Sequence, residues 1–137
     1  MKRTLVAAMV AALAVTAAAL AAAPATVHVT IRHQVQHCHS WSVDGNAWKA
    51  TQSAKFARGG TIVFRNTDVM PHRLVQVSGQ KLALGKAANM NKMAATFKLT
   101  FAKAGVYTFK TVAGEDYMAG MKTVGEDNVL RLTVRVT

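Results

Sequence analysis

Hydrophobic and polar residues alternate along most of the chain after residue 25, with the period of two that is typical of half-buried β-strands. The predicted strands cover residues 27–31, 53–57, 61–65, 73–77, 96–101, 106–109 and 129–136. Turn-forming residues separate them, such as Gly59-Gly60 before the third strand. Helical character is confined to residues 82–95, where Gly85 limits it. Several short strands joined by turns predict an all-β sandwich.

The first 25 residues have a different pattern. Two basic residues near the start precede an alanine-rich apolar run over residues 5–23, an order typical of a secretory signal peptide. Ala23-Pro24-Ala25 offers a cleavage site that would begin the mature protein at Thr26, and Ala19-Leu20-Ala21 offers a second. A retained membrane anchor is the alternative, because the run is about as long as a bilayer core is thick. Alanine is only weakly apolar, so a cleaved signal peptide is the interpretation we adopt.

Residues 26–137 are long enough for one domain with its own core, which we expect in the periplasm or outside the cell. The chain has a formal charge of +11, a balance that attracts acidic partners and that salt would screen. Its cations are scattered along the sequence, so nucleic-acid binding is not predicted. We expect a monomer without a membrane span, with an acidic redox protein as its partner.

Cys38 is the only cysteine. An exported domain with one cysteine has no internal disulfide, so the thiol is buried and inert, paired with another chain, or bound to a metal.

Two segments carry a resemblance to a known family. Residues 61–72 combine a strand, the corner Asn66-Thr67-Asp68 and a histidine after a proline, while residues 105–111 form a strand followed by Ala119-Gly120-Met121-Lys122. Together they resemble the cupredoxins, the blue-copper proteins. The resemblance covers roughly residues 54–137 and implies a cupredoxin-like Greek-key β-sandwich.

The same resemblance implies a changed copper site. His72 stands at the position of the family's first histidine ligand, and Met121 at that of the axial methionine. Thr111 stands where the family has its cysteine, and Asp116 where it has its second histidine. A blue-copper centre needs a thiolate and two imidazoles, with a weak thioether, so the ordinary site is absent.

The missing ligand types occur in His37-Cys38-His39, just after the first strand. In the cupredoxins that this chain resembles, the first strand is parallel to the strand that leads into the first histidine. With that topology both strands would end at the same pole of the sandwich. The predicted ligands of one copper ion are Cys38, His72, one of His37 and His39, and weakly Met121. The reserve ligands are Met70, Met118 and Asp116.

Each candidate also has a purely structural interpretation. Cys38 would be a small buried hydrophobe and His72 a surface turn residue, while Trp41 and Trp48 would cover the core. Zinc accepts cysteine and histidine as copper does, so it remains the alternative metal.

The sequence thus favours an exported copper-binding protein that acts in electron transfer or in copper handling. The alternative function is a metal-free binding or interaction module on the same scaffold. An enzyme is the least supported class, since the sequence has no Ser/His/Asp arrangement, phosphate-binding loop or dinucleotide motif.

Overall fold

The computed structural model describes residues 24–33, 39–113 and 129–137. Within these ranges the chain forms nine strands and one short 3-10 turn at Lys86–Ala88. The strands are β1 Thr26–His33, β2 His39–Val43, β3 Thr51–Phe56, β4 Thr61–Asn66, β5 His72–Ser78, β6 Asn89–Met90, β7 Thr96–Thr100, β8 Gly105–Ala113 and β9 Arg131–Val136.

The strands form two sheets, one ordered β2-β1-β4-β7 and the other β3-β9-β8-β5-β6. Each sheet contains one parallel pair, β1 with β4 and β3 with β9, among antiparallel neighbours. The parallel pairing of β1 with the strand before His72 is the one that the sequence analysis required. The predicted fold class, an all-β sandwich, is confirmed by these two sheets.

Period-two alternation accounts for this packing. Along β1, Val27, Val29 and Ile31 are buried while His28 and Arg32 are exposed. Because successive strand residues point to opposite faces, each sheet presents one apolar face to the core. Such alternation also fixes the register, since a slip of one residue would turn every apolar side chain toward water.

An aromatic cluster fills the end of the core away from His72. The fully buried ring of Phe101 lies 5.3 Å from Phe56, 5.1 Å from Tyr107 and 6.1 Å from Phe109, all centroid to centroid and edge-on. This edge-to-face arrangement is the favoured geometry for aromatic pairs.

Several predicted elements differ from those observed. Residues 82–95 form only the 3-10 turn and the two-residue strand β6, because β6 hydrogen-bonds to β5 instead of continuing a helix. The last strand begins at Arg131, two residues later than predicted, and β2 was not predicted at all. Trp41 is fully buried, as expected, but Trp48 is half-buried, with the Arg32 guanidinium 3.9 Å above its ring.

Among the described residues, no helix has the length and apolar character needed to cross a lipid bilayer.

The aromatic cluster supplies a test of the core. Phe101→Ala removes a ring that contacts three others, so we expect the free energy of unfolding to fall by about 3–5 kcal/mol. Met93→Ala, at an exposed loop position, should change it by less than about 0.5 kcal/mol. Urea denaturation of both variants measures the difference, and similar losses in both would contradict this packing.

Candidate metal centre

Parallel pairing brings two strand ends to one pole of the sandwich. The β1–β4 ladder runs up to the pair Ile31 and Asn66. Just beyond it, the backbone N–H of Thr67 donates to the Ile31 carbonyl over 2.8 Å, and the Thr67 hydroxyl donates to the same oxygen over 2.7 Å. His33 is the last residue of β1 and Asp68 lies two residues after the end of β4, so both lie at this pole.

Two further strands begin at the same pole. His39 is the first residue of β2 and pairs with His33 across the antiparallel β1–β2 ladder. His72 is the first residue of β5. Four strand termini therefore bring three imidazoles and one carboxylate together.

Asp68 lies at the centre of this cluster. Its Oδ2 atom accepts hydrogen bonds from His39 Nδ1 over 2.7 Å and from His72 Nε2 over 3.0 Å. Its Oδ1 atom accepts from the backbone N–H of Met70 over 3.1 Å. The side chains of His39, Asp68 and His72 are buried, with 1% or less exposure. One carboxylate thus fixes the orientation of two imidazoles that come from different sheets.

The corner that carries Asp68 is itself held by Asn66, which is fully buried. The Asn66 side-chain amide donates to the carbonyls of Met70 and Met90, over 2.8 and 3.0 Å. Its side-chain oxygen accepts the backbone N–H of Asp68 over 2.9 Å. These bonds satisfy buried polar groups and leave the Asp68 carboxylate little freedom to move.

The imidazole rings are in contact with one another. The centroids of His39 and His72 lie 4.7 Å apart at 85°, and those of His33 and His39 lie 5.5 Å apart at 69°. His33, His39 and Asp68 each offer a ligand atom within 4.8 Å of the other two. Because His33 is exposed, the cluster extends from the interior to the surface.

The pKa of Asp68 is lowered. Burial acts to raise this pKa, but the hydrogen bonds from His72, the Met70 amide and His39, together with the nearby charge of His39, outweigh it. Asp68 is therefore a carboxylate at neutral pH, and its buried charge is balanced by donors.

Thr111 occupies the position that the family resemblance gives to the cysteine ligand. It is buried, pairs with Leu74 in the β5–β8 ladder, and lies two residues before Ala113, the partner of His72. Its hydroxyl has no hydrogen-bond partner among the described residues. A neutral hydroxyl cannot supply the thiolate that a blue-copper centre needs.

The donor set suits a transition metal. Imidazole and carboxylate groups bind copper and zinc, and the ligand atoms of His33, His39 and Asp68 lie close enough to share one ion after small side-chain movements. Asp68 engages His39 through Nδ1 and His72 through Nε2, so a metal that both rings held would bind at His39 Nε2 and His72 Nδ1. A carboxylate behind a ligating histidine fixes its tautomer and raises its basicity.

Two of the predicted ligands, His39 and His72, are thus neighbours. His37 and Cys38 lie in 34–38, and Met121, with the reserves Asp116 and Met118, lies in 114–128. Both segments are outside the described residues, so these ligands stay predictions. Met70 is half-buried beside Asp68.

Neither Asp68 nor His33 was among the ligands predicted from the sequence. The available signal was the carboxylate at the end of a strand, four residues before His72. The structural interpretation of His72 as a surface turn residue is wrong, because its side chain is fully buried.

No protein-family model matches the chain, and no curated protein matches it. Among solved structures, a purple cupredoxin from Nitrosopumilus maritimus is 16% identical with a TM-score of 0.46, covering 80% of this chain and 98% of that one. A reduced amicyanin variant is 19% identical with a TM-score of 0.39, covering 86% of each chain. A multicopper oxidase is 15% identical with a TM-score of 0.46, covering 81% of this chain and 41% of that one. Such likenesses concern the fold, and the chemistry of the site is defined by this chain's own residues.

The lowered pKa of Asp68 predicts how stability depends on pH. Ionised Asp68 stabilises the folded state above the pKa of the unfolded chain, about 4, and this contribution is lost as pH falls through the lower folded pKa. Asp68→Asn should lower the free energy of unfolding at pH 7 by about 1–3 kcal/mol, and its stability should fall less on acidification.

The measurement is urea denaturation between neutral and acidic pH with a chelator present. Asp44→Asn, at an exposed turn carboxylate, is the matched control and should keep the acid response of the parent protein. An unchanged acid response in Asp68→Asn would show that Asp68 is not the stabilising carboxylate.

Proposed function

We propose that this protein is exported and binds one copper ion, in electron transfer or copper handling, at a centre built on His39 and His72. The observation that supports this most is the convergence of two buried imidazoles, from separate sheets, on one ionised carboxylate. The sequence resemblance supplied His72 but neither a second histidine nor a cysteine, and His39 would supply the missing imidazole.

The role proposed for Asp68 is to position the two rings. Its hydrogen bonds of 2.7 and 3.0 Å would hold the ligating nitrogens while the metal changes charge, which favours rapid electron transfer. Burial would keep bulk water away from the ion. When bound, copper would supply one-electron redox chemistry, and the protein would supply the rigid donors.

Cys38 and Met121 are the proposed soft ligands. Cys38 immediately precedes His39 in the sequence, so its thiolate belongs to the segment that leads into the cluster. A thiolate from this side would replace the one that Thr111 cannot provide. His37 is the further candidate in the same segment.

His33 suggests how the ion would reach the interior. Its imidazole is exposed, yet it lies edge-on to His39 and has a ligand atom within 4.8 Å of those of His39 and Asp68. Such a surface ligand could receive an incoming ion before the buried donors bind it, as copper handling requires. Val69, 75% exposed in the Asp68 corner, offers an apolar contact for a redox partner at the same pole.

Export is proposed from the N-terminal pattern of charge, apolar run and small residues, with residues 26–137 as the working domain.

A metal-free interaction module is the second candidate function. The distances from Asp68 to both rings are those of ordinary hydrogen bonds, so the carboxylate and the two rings form a polar network without an ion. In that case the histidines would stabilise the fold, and the function would depend on the surface.

Copper titration tests the proposed centre. We expect the purified protein to bind one equivalent of Cu(II) or Cu(I), and His72→Ala to weaken binding at least about 10–100-fold because a principal ligand is lost. His28→Ala, at an exposed histidine of β1, is the matched control and should bind as the parent does. Equal affinity in all three proteins would exclude the His39/His72 centre.

Cys38→Ser tests the thiolate separately. A strong visible thiolate-to-copper band that is present in the parent and absent in Cys38→Ser would identify Cys38 as a ligand and favour electron transfer. Tight Cu(II) binding with no such band in the parent would leave a histidine–carboxylate centre without the cysteine.

A further inference from the structure

The outer face of the five-stranded sheet is strongly cationic. Its strands bury alternate residues such as Leu74, Phe109 and Leu132 in the core, so the residues between them point outward. The exposed cations on this face are Lys55, Arg73, Lys110, Arg131 and Arg135.

Two pairs of these cations lie directly opposite each other. The register places Lys110 against Arg131 in the β8–β9 ladder and Lys55 against Arg135 in the β3–β9 ladder. Like charges at directly opposite positions of a sheet destabilise it. Two repulsive pairs on one face lower the stability of the fold. We therefore interpret this face as a binding surface.

Acidic side chains in the described ranges do not compensate the charge of Lys55, Lys110, Arg131 and Arg135. Among those residues only Asp44 and Asp68 are acidic. Asp68 is buried at the His72 pole, and Asp44 lies in the turn that follows β2.

A shallow groove crosses the same face. It has a volume of about 650 Å³ and runs over β5, β8 and β9. Its outward-facing lining includes Val75, Val77, Thr108, Lys110, Arg131 and Thr133. Val77 is 60% exposed, so cationic, hydroxyl and aliphatic side chains are interleaved along the groove.

We propose that this groove docks an acidic polypeptide segment of a partner protein, one that alternates carboxylates with small apolar side chains. Carboxylates would relieve the repulsion between Lys110 and Arg131, and apolar side chains would cover the exposed Val77. The described outward residues of this face include no aromatic side chain on which the bases of a single-stranded nucleic acid would stack. This surface does not include the residues of the candidate metal centre, so the inference goes beyond the proposed copper function.

The outer face of the other sheet provides a matched control. Arg65 and Lys98 are exposed there, but the register places them opposite Thr96 and Val63. A double substitution at these positions removes the same charge without relieving a directly opposed pair.

The binding test uses a short fluorescent peptide of alternating glutamate and valine, measured by anisotropy at several salt concentrations. We expect salt-sensitive binding that the double variant Lys110→Gln/Arg131→Gln weakens by about 10-fold, the sum of two surface charge contacts. The Arg65→Gln/Lys98→Gln variant should bind within about twofold of the parent.

Three results would overturn the proposal. They are an absence of peptide binding, equal losses in the two double variants, and tighter binding of heparin or duplex DNA than of the peptide through Lys110 and Arg131. Equal losses would show that peptide binding depends only on the net charge of the protein. Tighter binding of heparin or duplex DNA would show that the face binds another class of polyanion.

A stability measurement without any ligand tests whether Lys110 and Arg131 repel each other. If Lys110 and Arg131 repel each other, Lys110→Gln should raise the midpoint of thermal unfolding at low ionic strength, and added salt should remove the gain. A lower midpoint in Lys110→Gln at low salt would show that the pair is not repulsive and would remove the basis of the inference.

Discussion

A single carboxylate oxygen, Asp68 Oδ2, joins the two sheets of this protein at one pole. It accepts one hydrogen bond from His39 at the start of β2 and one from His72 at the start of β5. Because Asp68 is buried, its carboxylate depends on these two rings and on the Met70 amide to compensate its lost hydration. The hydrogen bonds of Asn66 hold that carboxylate in place. The carboxylate in turn orients both imidazoles.

The position of this cluster follows from strand direction. The parallel pairing of β1 with β4 places the loop after His33 and the corner around Asp68 at the same end of the sandwich. Charge is distributed differently, because cations such as Lys110 and Arg131 lie on an outer sheet face while the buried carboxylate of Asp68 lies at the pole. An acidic partner would therefore bind the outer sheet face, and a copper ion would bind at the pole.

Much of the fold could be predicted from the sequence, since alternation at β1, β4 and β7 marks their buried faces directly. The strand β2 could not, because its residues are buried on both faces and show no alternation. For the site, His39 and His72 were found as ligand types, but Asp68 was not. The burial of Asp68 depends on hydrogen bonds to His39 and His72, 29 and 4 residues away, which no local pattern reveals.

The proposed function requires that the buried histidines face a metal. Anomalous diffraction at the copper edge, from crystals grown with copper, tests this directly because it locates the ion itself. The account predicts one anomalous peak at coordination distance, about 2.0–2.1 Å, from the ring nitrogens of His39 and His72 that Asp68 does not engage. An intact His39–Asp68–His72 hydrogen-bond network with no peak beside it would contradict the account and leave the cluster as a structural element of the sandwich.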